Sequence, residues 1–287
     1  LSIMSCSWML IRLHRMECLV GKRLFLRQLR GLSCADLFFV LSSLPLIVVS
    51  HPLWDSANTP SEVCTWIVML ATFFRHLSLW IEMHIAVTSL LQAFKVNAAK
   101  GLHCSFFFIW APGLLLTLVS TLESPWTYNY VERVCVPGDW FHYSADSLTS
   151  ADLALAMCIC STSYVASICR GWKRLPGSVQ RRVSLRAEIY IANALVTYVL
   201  AFACFTNRAL FQSRFFLTVA MTLELLGGAL NTCAYACQSR YAAALNGDAS
   251  AMRADLAASM VRPSFHVEFT ERIPVTHGTL ESEQQSL

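Results

Sequence analysis

Charged residues are scarce in this chain of 287 residues. Asp, Glu, Lys and Arg together make up 14% of the sequence, whereas hydrophobic residues make up 55% and the mean hydropathy is +0.50. Such a composition excludes an ordinary soluble domain and is typical of a chain that crosses a membrane several times.

Sequence signatures of catalysis are also missing. The chain has no His-Glu-x-x-His, no Gly-x-Ser-x-Gly, no phosphate-binding loop and no paired carboxylates suited to a binuclear metal. Its last lysine is Lys173, so the final apolar segment has no amine for a retinal Schiff base, which excludes a light-driven pump or opsin. We therefore expect no enzymatic activity, no cofactor, no metal and no nucleic-acid partner.

Six apolar segments are long enough to cross a bilayer. A helix rises ~1.5 Å per residue and the hydrocarbon layer is ~30 Å thick, so about 20 apolar residues span it. The segments are Leu32–Val49, Cys64–Phe94, His103–Leu122, Ala151–Ile168, Ala187–Phe205 and Phe215–Cys237.

The first residues complete the predicted fold. Leu1–Ile11 is too short to span and has no signal-peptide features, so we interpret it as the cytoplasmic half of a truncated first helix. The sequence thus predicts an all-α, seven-transmembrane-helix bundle over residues 1–245, in which the six segments are the second to seventh helices. Residues 246–287 are polar and are predicted to be a disordered cytoplasmic tail.

Basic residues are concentrated in alternate loops. The loops after the first, third and fifth helices hold 14 Lys and Arg residues, and the opposite loops hold three. Because basic loops stay in the cytoplasm, we expect the amino-terminal side to face outward and the tail to face inward. The composition and this orientation predict a multi-pass protein of the plasma membrane, in contact with membrane lipids.

Two cysteines are expected on the outer side. Cys64 opens the third helix and Cys135 lies in the longest outer loop, whereas the other cysteines lie in apolar helices or at cytoplasmic ends. An outer pair in an oxidising compartment predicts a disulfide. The alternative, two unpaired thiols, would require a reducing compartment or a geometry that separates them.

Aromatic residues crowd the same outer loop, and Trp140 is one of them. They are interpreted either as an aromatic belt at the membrane interface or as a lid over a ligand cavity. The loop contains Trp126, Tyr128, Tyr130, Trp140 and Tyr143.

Ionisable residues inside the predicted spans are candidates for function, because burying them unpaired costs several kcal/mol. Asp36 lies in the second helix, Arg75, Glu82 and His84 in the third, and Glu224 in the seventh. Arg75 and Glu82 are seven residues apart and share one helix face. We predict that Arg75 either pairs with an acid such as Glu224 or contacts an anionic ligand. Structural or gating roles suit Glu82 and His84 better.

Pro45, Pro112 and Gly227-Gly228 are expected to bend the second, fourth and seventh helices. Bent helices would leave room for a cavity, although many simply pack against each other.

Several motifs resemble those of G-protein-coupled receptors. Phe73-Phe74-Arg75-His76-Leu77-Ser78-Leu79-Trp80 and Ile85-Ala86-Val87 resemble the third helix of slime-mould cyclic-AMP-type receptors, and secretin and adhesion receptors share a related helix. Leu32-Ser33-Cys34-Ala35-Asp36-Leu37 is similar to a second-helix segment, and Asn231-Thr232-Cys233-Ala234-Tyr235 to the Asn-Pro-x-x-Tyr motif. Thr88-Ser89-Leu90 stand where rhodopsin-type receptors have Asp-Arg-Tyr, a motif that cyclic-AMP-type receptors also lack.

The resemblance implies a receptor with an outward ligand site and a heterotrimeric G protein as its cytoplasmic partner. It implies an unknown extracellular ligand near Arg75, Glu224 and Trp140. A switch in the polar core would involve Asp36, Glu82, Asn231 and Tyr235. The loop from Gly171 to Leu185 would contact the G protein, although basic loops orient every polytopic protein. Its candidate contact residues are Lys173, Arg174, Arg181 and Arg182.

A transporter or channel is the alternative function, since the same buried charges would suit a transport path. Against it, the two halves of the sequence show no internal repeat and no matching pair of broken helices.

Overall fold

The computed structural model describes residues 1–20, 24–49, 61–96, 98–123, 126–129, 134–137, 147–174 and 177–238. These residues form long helices and one short β-hairpin. The helices are α1 Ser2–Val20, α2 Leu24–Val49, α3 Ser61–Ala93, α4 Ala99–Phe107, α5 Trp110–Glu123, α6 Ser147–Arg174, α7 Gly177–Thr206, α8 Arg208–Gln212 and α9 Arg214–Gln238. The strands are β1 Trp126–Asn129 and β2 Val134–Pro137.

Five helical stretches within this part of the chain are long and apolar enough to cross a membrane. They confirm the multi-pass prediction for the second, third, fourth, fifth and seventh helices. In α7 the apolar stretch is shorter, Ala192–Thr206, and α1 does not reach the same length and apolarity. The five stretches are Leu24–Leu46, Glu62–Ala93, Lys100–Glu123, Leu148–Arg170 and Arg214–Ala236.

Helix α3 lies at the centre of the bundle and packs against α2, α5 and α6. One apolar cluster joins it to α6, α7 and α9 through residues such as Leu79, Leu153 and Phe205. A second cluster joins it to α1, α2 and α9 through residues such as Ile81, Met9 and Leu32. Two separate apolar clusters therefore fix α3 between the two sides of the bundle.

Helix α1 packs against α2 and α9 through one narrow stripe. Cys6, Met9 and Leu13 are each 1% exposed, and their spacing of three and four residues places them on one helix face. At the start of the helix, the Ser2 hydroxyl donates a hydrogen bond to the Leu225 carbonyl of α9. The stripe and this bond hold the first helix in place.

The three predicted bends have different outcomes. Pro112 lies in the first turn of α5. Helix α4 ends at Phe107, and its C-cap Phe108 lies four residues before Pro112, where the proline ring clashes with the carbonyl of a continuing helix. The span is therefore built from two helices. By contrast, α2 continues through Pro45 and α9 continues through Gly227 and Gly228.

Gly228 is a site of close packing. A Cβ atom at this position would lie 2.6 Å from Cys6 Sγ and 3.0 Å from Asp36 Cβ. Only a residue without a side chain lets α9 approach α1 and α2 this closely.

Several helix ends differ from the sequence prediction. Helix α2 begins at Leu24 rather than Leu32, and α6 and α7 extend to Arg174 and back to Gly177. Residues predicted as the loop Gly171–Leu185 are thus almost all helical. Lys and Arg are good helix formers, so a helix can continue beyond its apolar part. The predicted tail 246–287 lies outside the described residues.

Candidate functional site

An ion pair joins α3 to α9 near the end of the bundle that carries the hairpin, here called the hairpin end. The Arg75 guanidinium donates a hydrogen bond from Nη2 to Glu224 Oε2 at 2.8 Å. The Arg75 side chain is 10% exposed and that of Glu224 is 2% exposed. This is one of the two outcomes predicted for Arg75, a pairing with an acid of the last helix.

Aromatic rings enclose the Arg75 guanidinium. Its central carbon lies 5.5 Å from the centre of the Phe39 ring and 5.3 Å from that of the Phe205 ring, within the range of a cation–π interaction. Arg75 Nε and Glu224 Oε1 are buried and lack a hydrogen-bond partner within the described residues. Each partner of the pair thus keeps unused hydrogen-bonding capacity.

A second buried pair, beside the first, joins α3 to α6. His76 Nδ1 and Asp152 Oδ2 are 2.5 Å apart, and the two side chains are 0% and 2% exposed. The neighbouring helix α5 approaches closely, because a Cβ at Gly113 would lie 3.5 Å from His76 Cβ. Consecutive residues of α3 therefore hold two different helices.

A polar network fills the middle of the bundle. Asp36 Oδ1 accepts a hydrogen bond from the Ser78 hydroxyl at 2.5 Å, and its Oδ2 accepts one from Asn231 Nδ2 at 3.2 Å. The same Asn231 amide group donates to Glu82 Oε1 at 2.9 Å. One amide thus bridges two carboxyl groups from α2 and α3, and no basic side chain among the described residues forms an ion pair with either of them.

Helix α7 extends the network. Asn193 Nδ2 donates to Asn231 Oδ1 at 2.5 Å, and Thr197 contacts Asn193. The buried Tyr198 side chain also interacts with the Glu82 carboxyl group. Four helices, α2, α3, α7 and α9, therefore meet at Asn231.

A small cavity adjoins this network. About 20 Å³ is available to the centre of a water molecule, enough for one water. Polar atoms of Glu82, Asn193 and Asn231 face apolar side chains of α2, α3, α6 and α7 across it.

The ion pair and the network have the same spacing on both helices. Arg75 and Glu82 are seven residues apart on α3, and their partners Glu224 and Asn231 are seven residues apart on α9. Seven residues make two helical turns, or ~10 Å. Helices α3 and α9 therefore run in the same direction and are connected twice.

The hairpin is attached to the start of α3. Cys64 and Cys135 form a disulfide, which confirms the predicted bridge. The hairpin pairs Trp126 with Pro137 and Tyr128 with Cys135, and the Thr65 hydroxyl donates to the Trp126 carbonyl at 2.7 Å. These bonds fix the described part of the predicted outer loop to the start of α3.

The other predicted site residues are placed as follows. Tyr235 is buried in the apolar cluster that contains Leu32. Lys173 and Arg174 lie in the last turn of α6, and Arg181 and Arg182 lie near the start of α7. Trp140 lies outside the described residues.

Sequence reasoning missed several members of the site: Ser78, Asp152, Asn193 and Tyr198. Asp152 and Asn193 lie inside predicted spans, so their polarity was a usable signal. Ser78 and Tyr198 gave no such signal, because serine and tyrosine are common in membrane helices.

Comparison with known proteins returns no match: no family description matches the sequence, and no curated protein is significantly similar to it.

Proposed function

We propose that the chain is a G-protein-coupled receptor of the plasma membrane that transmits an extracellular ligand signal to a heterotrimeric G protein. The observation that carries the proposal is the network in which Asn231 joins Asp36 and Glu82. Two members of this network, Asp36 and Asn231, lie in the motifs that resemble those of receptors.

Two acids that share one amide are suited to a conformational switch. Removing one Asn231 hydrogen bond costs about 1 kcal/mol, far less than separating a buried ion pair. Small changes in the packing of α9 would therefore redistribute the network between arrangements of similar free energy. A ligand shifts such an equilibrium only by its differential affinity for the two states.

The Arg75–Glu224 pair would connect this switch to a ligand. It lies two turns nearer the hairpin end and involves the same two helices. A ligand that competes for Arg75 or Glu224 would release α9 at that point and alter the contacts of Asn231.

The basic residues at the other end would contact the G protein. Lys173 and Arg174 belong to the last turn of α6, and Arg181 and Arg182 lie near the start of α7. In this proposal the hairpin end faces outward.

The experiment is G-protein activation by the full chain in cells, measured without agonist by a proximity sensor across the Gα classes. We expect basal activation that disappears when Arg181 and Arg182 are both replaced by Ala, with surface amounts unchanged. A matched control replaces Lys95 and Lys100. Silence in all classes from protein at the cell surface would contradict basal coupling and make solute flux the next assay.

A transporter is the second candidate, and one observation favours it. Glu82 combines a partly buried carboxyl group with a cavity large enough for a water. Flux of ions or protons in proteoliposomes that disappears in Glu82→Gln would support transport over signalling.

A further inference from the structure

A second polar cluster, separate from the network around Asn231, joins α2, α3 and α4. It consists of Gln28, His84, Thr88 and Ser105 and is called here the latch. Gln28 Nε2 lies 2.6 Å from His84 Nδ1 and 2.9 Å from Thr88 Oγ1, and His84 Nε2 lies 2.9 Å from Ser105 Oγ. Gln28 is fully buried, and its Oε1 has no partner among the described residues.

The position of each hydrogen in the latch can be deduced. The Thr88 hydroxyl donates to the His84 carbonyl at 2.7 Å, so its oxygen can only accept from Gln28. This places the amide nitrogen of Gln28, a donor, toward Thr88 and His84. His84 Nδ1 must then accept and carries no hydrogen, while Nε2 donates to Ser105, which in turn donates to the Leu102 carbonyl.

The complete latch therefore requires a neutral His84. We propose that the latch is a proton sensor, in which Gln28 holds α2 against α3 while His84 is neutral and the Gln28–His84 bond breaks when His84 is protonated, whereas the bond from His84 to Ser105 of α4 remains. A proton on Nδ1 would place two donors, His84 N–H and Gln28 N–H, opposite each other at 2.6 Å.

Rotation of the Gln28 amide does not restore the latch. It would turn Oε1 toward His84 Nδ1, but it would also place Oε1 opposite the Thr88 oxygen. Thr88 would then either face another acceptor or withdraw its hydrogen from the His84 carbonyl. Protonation therefore loses at least one hydrogen bond by every route.

No acid among the described residues pairs with His84 to compensate for this loss. Among the described residues, the ion pairs do not involve His84. The charged or titratable residues closest to the latch along the sequence of its helices are Arg27 and Arg30 on α2 and Lys100, His103 and Cys104 on α4, while Glu82 lies two residues away on α3 and bonds to Asn231. Histidine is the side chain whose charge ordinarily changes between pH ~5 and ~8.

The latch lies at the surface of the described bundle. Ser105 is exposed and His84 is partly exposed, at the end of the bundle opposite the hairpin. That this end senses cytoplasmic pH rests on the proposed function. The proton dependence of the latch itself does not rest on the proposed function.

The test is the thermal unfolding of the purified full chain in lipid nanodiscs at pH ~8 and ~6. We expect the Tm to fall by about 2–4 °C on acidification, the shift that corresponds to one lost hydrogen bond. In His84→Asn, which keeps an acceptor for Gln28 but gains no proton, most of this fall should disappear. His103→Asn, a histidine of the same end, should retain it.

Gln28→Glu gives an independent test, which remains available if the His84→Asn variant does not fold. A carboxylate accepts a hydrogen bond from the protonated ring, so acidification should no longer lower the Tm. The proposal is overturned if the wild-type Tm is equal at both pH values, or if either substitution leaves the wild-type fall intact. The measurement needs neither a ligand nor a G protein, so its outcome is independent of whether the chain is a receptor.

Discussion

The Arg75–Glu224 pair and the Asp36–Asn231–Glu82 network connect the same helices in different ways. In the pair, opposite charges face each other at 2.8 Å, and the guanidinium contacts the rings of Phe39 and Phe205. In the network, two carboxyl groups share one neutral amide. Breaking the pair leaves an uncompensated charge in the membrane, whereas rearranging the network exchanges hydrogen bonds. The pair is suited to fixing α9, and the network to changing state.

The largest effect should come from removing one charge of the pair. Arg75→Leu leaves Glu224 buried without a counter-charge, and we expect a loss of about 3–5 kcal/mol in stability. The measurement is the Tm of the purified protein, together with its amount at the cell surface.

The double variant Arg75→Leu/Glu224→Leu sharpens this test. With both charges gone, most of the loss should be recovered, because an apolar replacement of a buried ion pair is often neutral. If the double variant is as unstable as the single one, the pair does not act as a unit.

The disulfide is expected to be nearly as important for the hairpin end. Cys64→Ser or Cys135→Ser should each cost about 2–5 kcal/mol and reduce delivery to the surface. Cys104→Ser is the matched control, because that thiol is exposed and unpaired. Normal surface amounts in both variants would show that the hairpin end is fixed without the bridge.

Gly228→Ala tests the packing around the network. The new methyl group would overlap Cys6 and press on Asp36, so we expect a loss of about 1–3 kcal/mol. Adding Cys6→Ala should restore part of it, since the 2.6 Å contact is with Cys6 Sγ. Gly101→Ala, where no atom lies within 4 Å, is the control in the Tm measurement.

Asp36→Asn should have the smallest effect on stability and thereby separate the two regions most clearly. It neutralises a carboxyl group that has no cationic partner among the described residues, so we expect a change within about 1 kcal/mol. Basal activity in the G-protein assay should nevertheless change. A loss as large as that of Arg75→Leu would show that the network is as rigid as the pair.

The sequence predicted five spans correctly because membrane length imposes a clear requirement on apolar segments, whereas the predicted sixth helix has an apolar stretch shorter than a span. It located helix ends poorly, as at Leu24 and Gly177, because charged helix formers continue a helix without an apolar signal. The disulfide followed from the side of the membrane predicted for each cysteine. For Arg75 the sequence left two alternatives, an acid such as Glu224 or an anionic ligand. The packing of α3 beside α9 brings Arg75 and Glu224 together.

The partners of buried polar groups were harder to predict than their positions. The pairing of His76 with Asp152, or of Asn193 with Asn231, depends on how each helix is rotated about its axis and on which helix lies beside it. These features arise from the packing of the whole bundle, and no local pattern in the sequence encodes them.

The equal spacing of the two α3–α9 contacts has a mechanical consequence. Because Arg75–Glu224 and Glu82–Asn231 are separated by seven residues on both helices, a shift of α9 along α3 affects them equally. Helix α9 therefore cannot slide one turn, ~5.4 Å, along α3 without losing both contacts. Sliding by a full two turns would set Glu82 against Glu224, or Arg75 against Asn231, and neither restores the original arrangement. Tilting or rotation of α9 can break one of the two contacts at a time, and it is therefore the motion that the bundle permits.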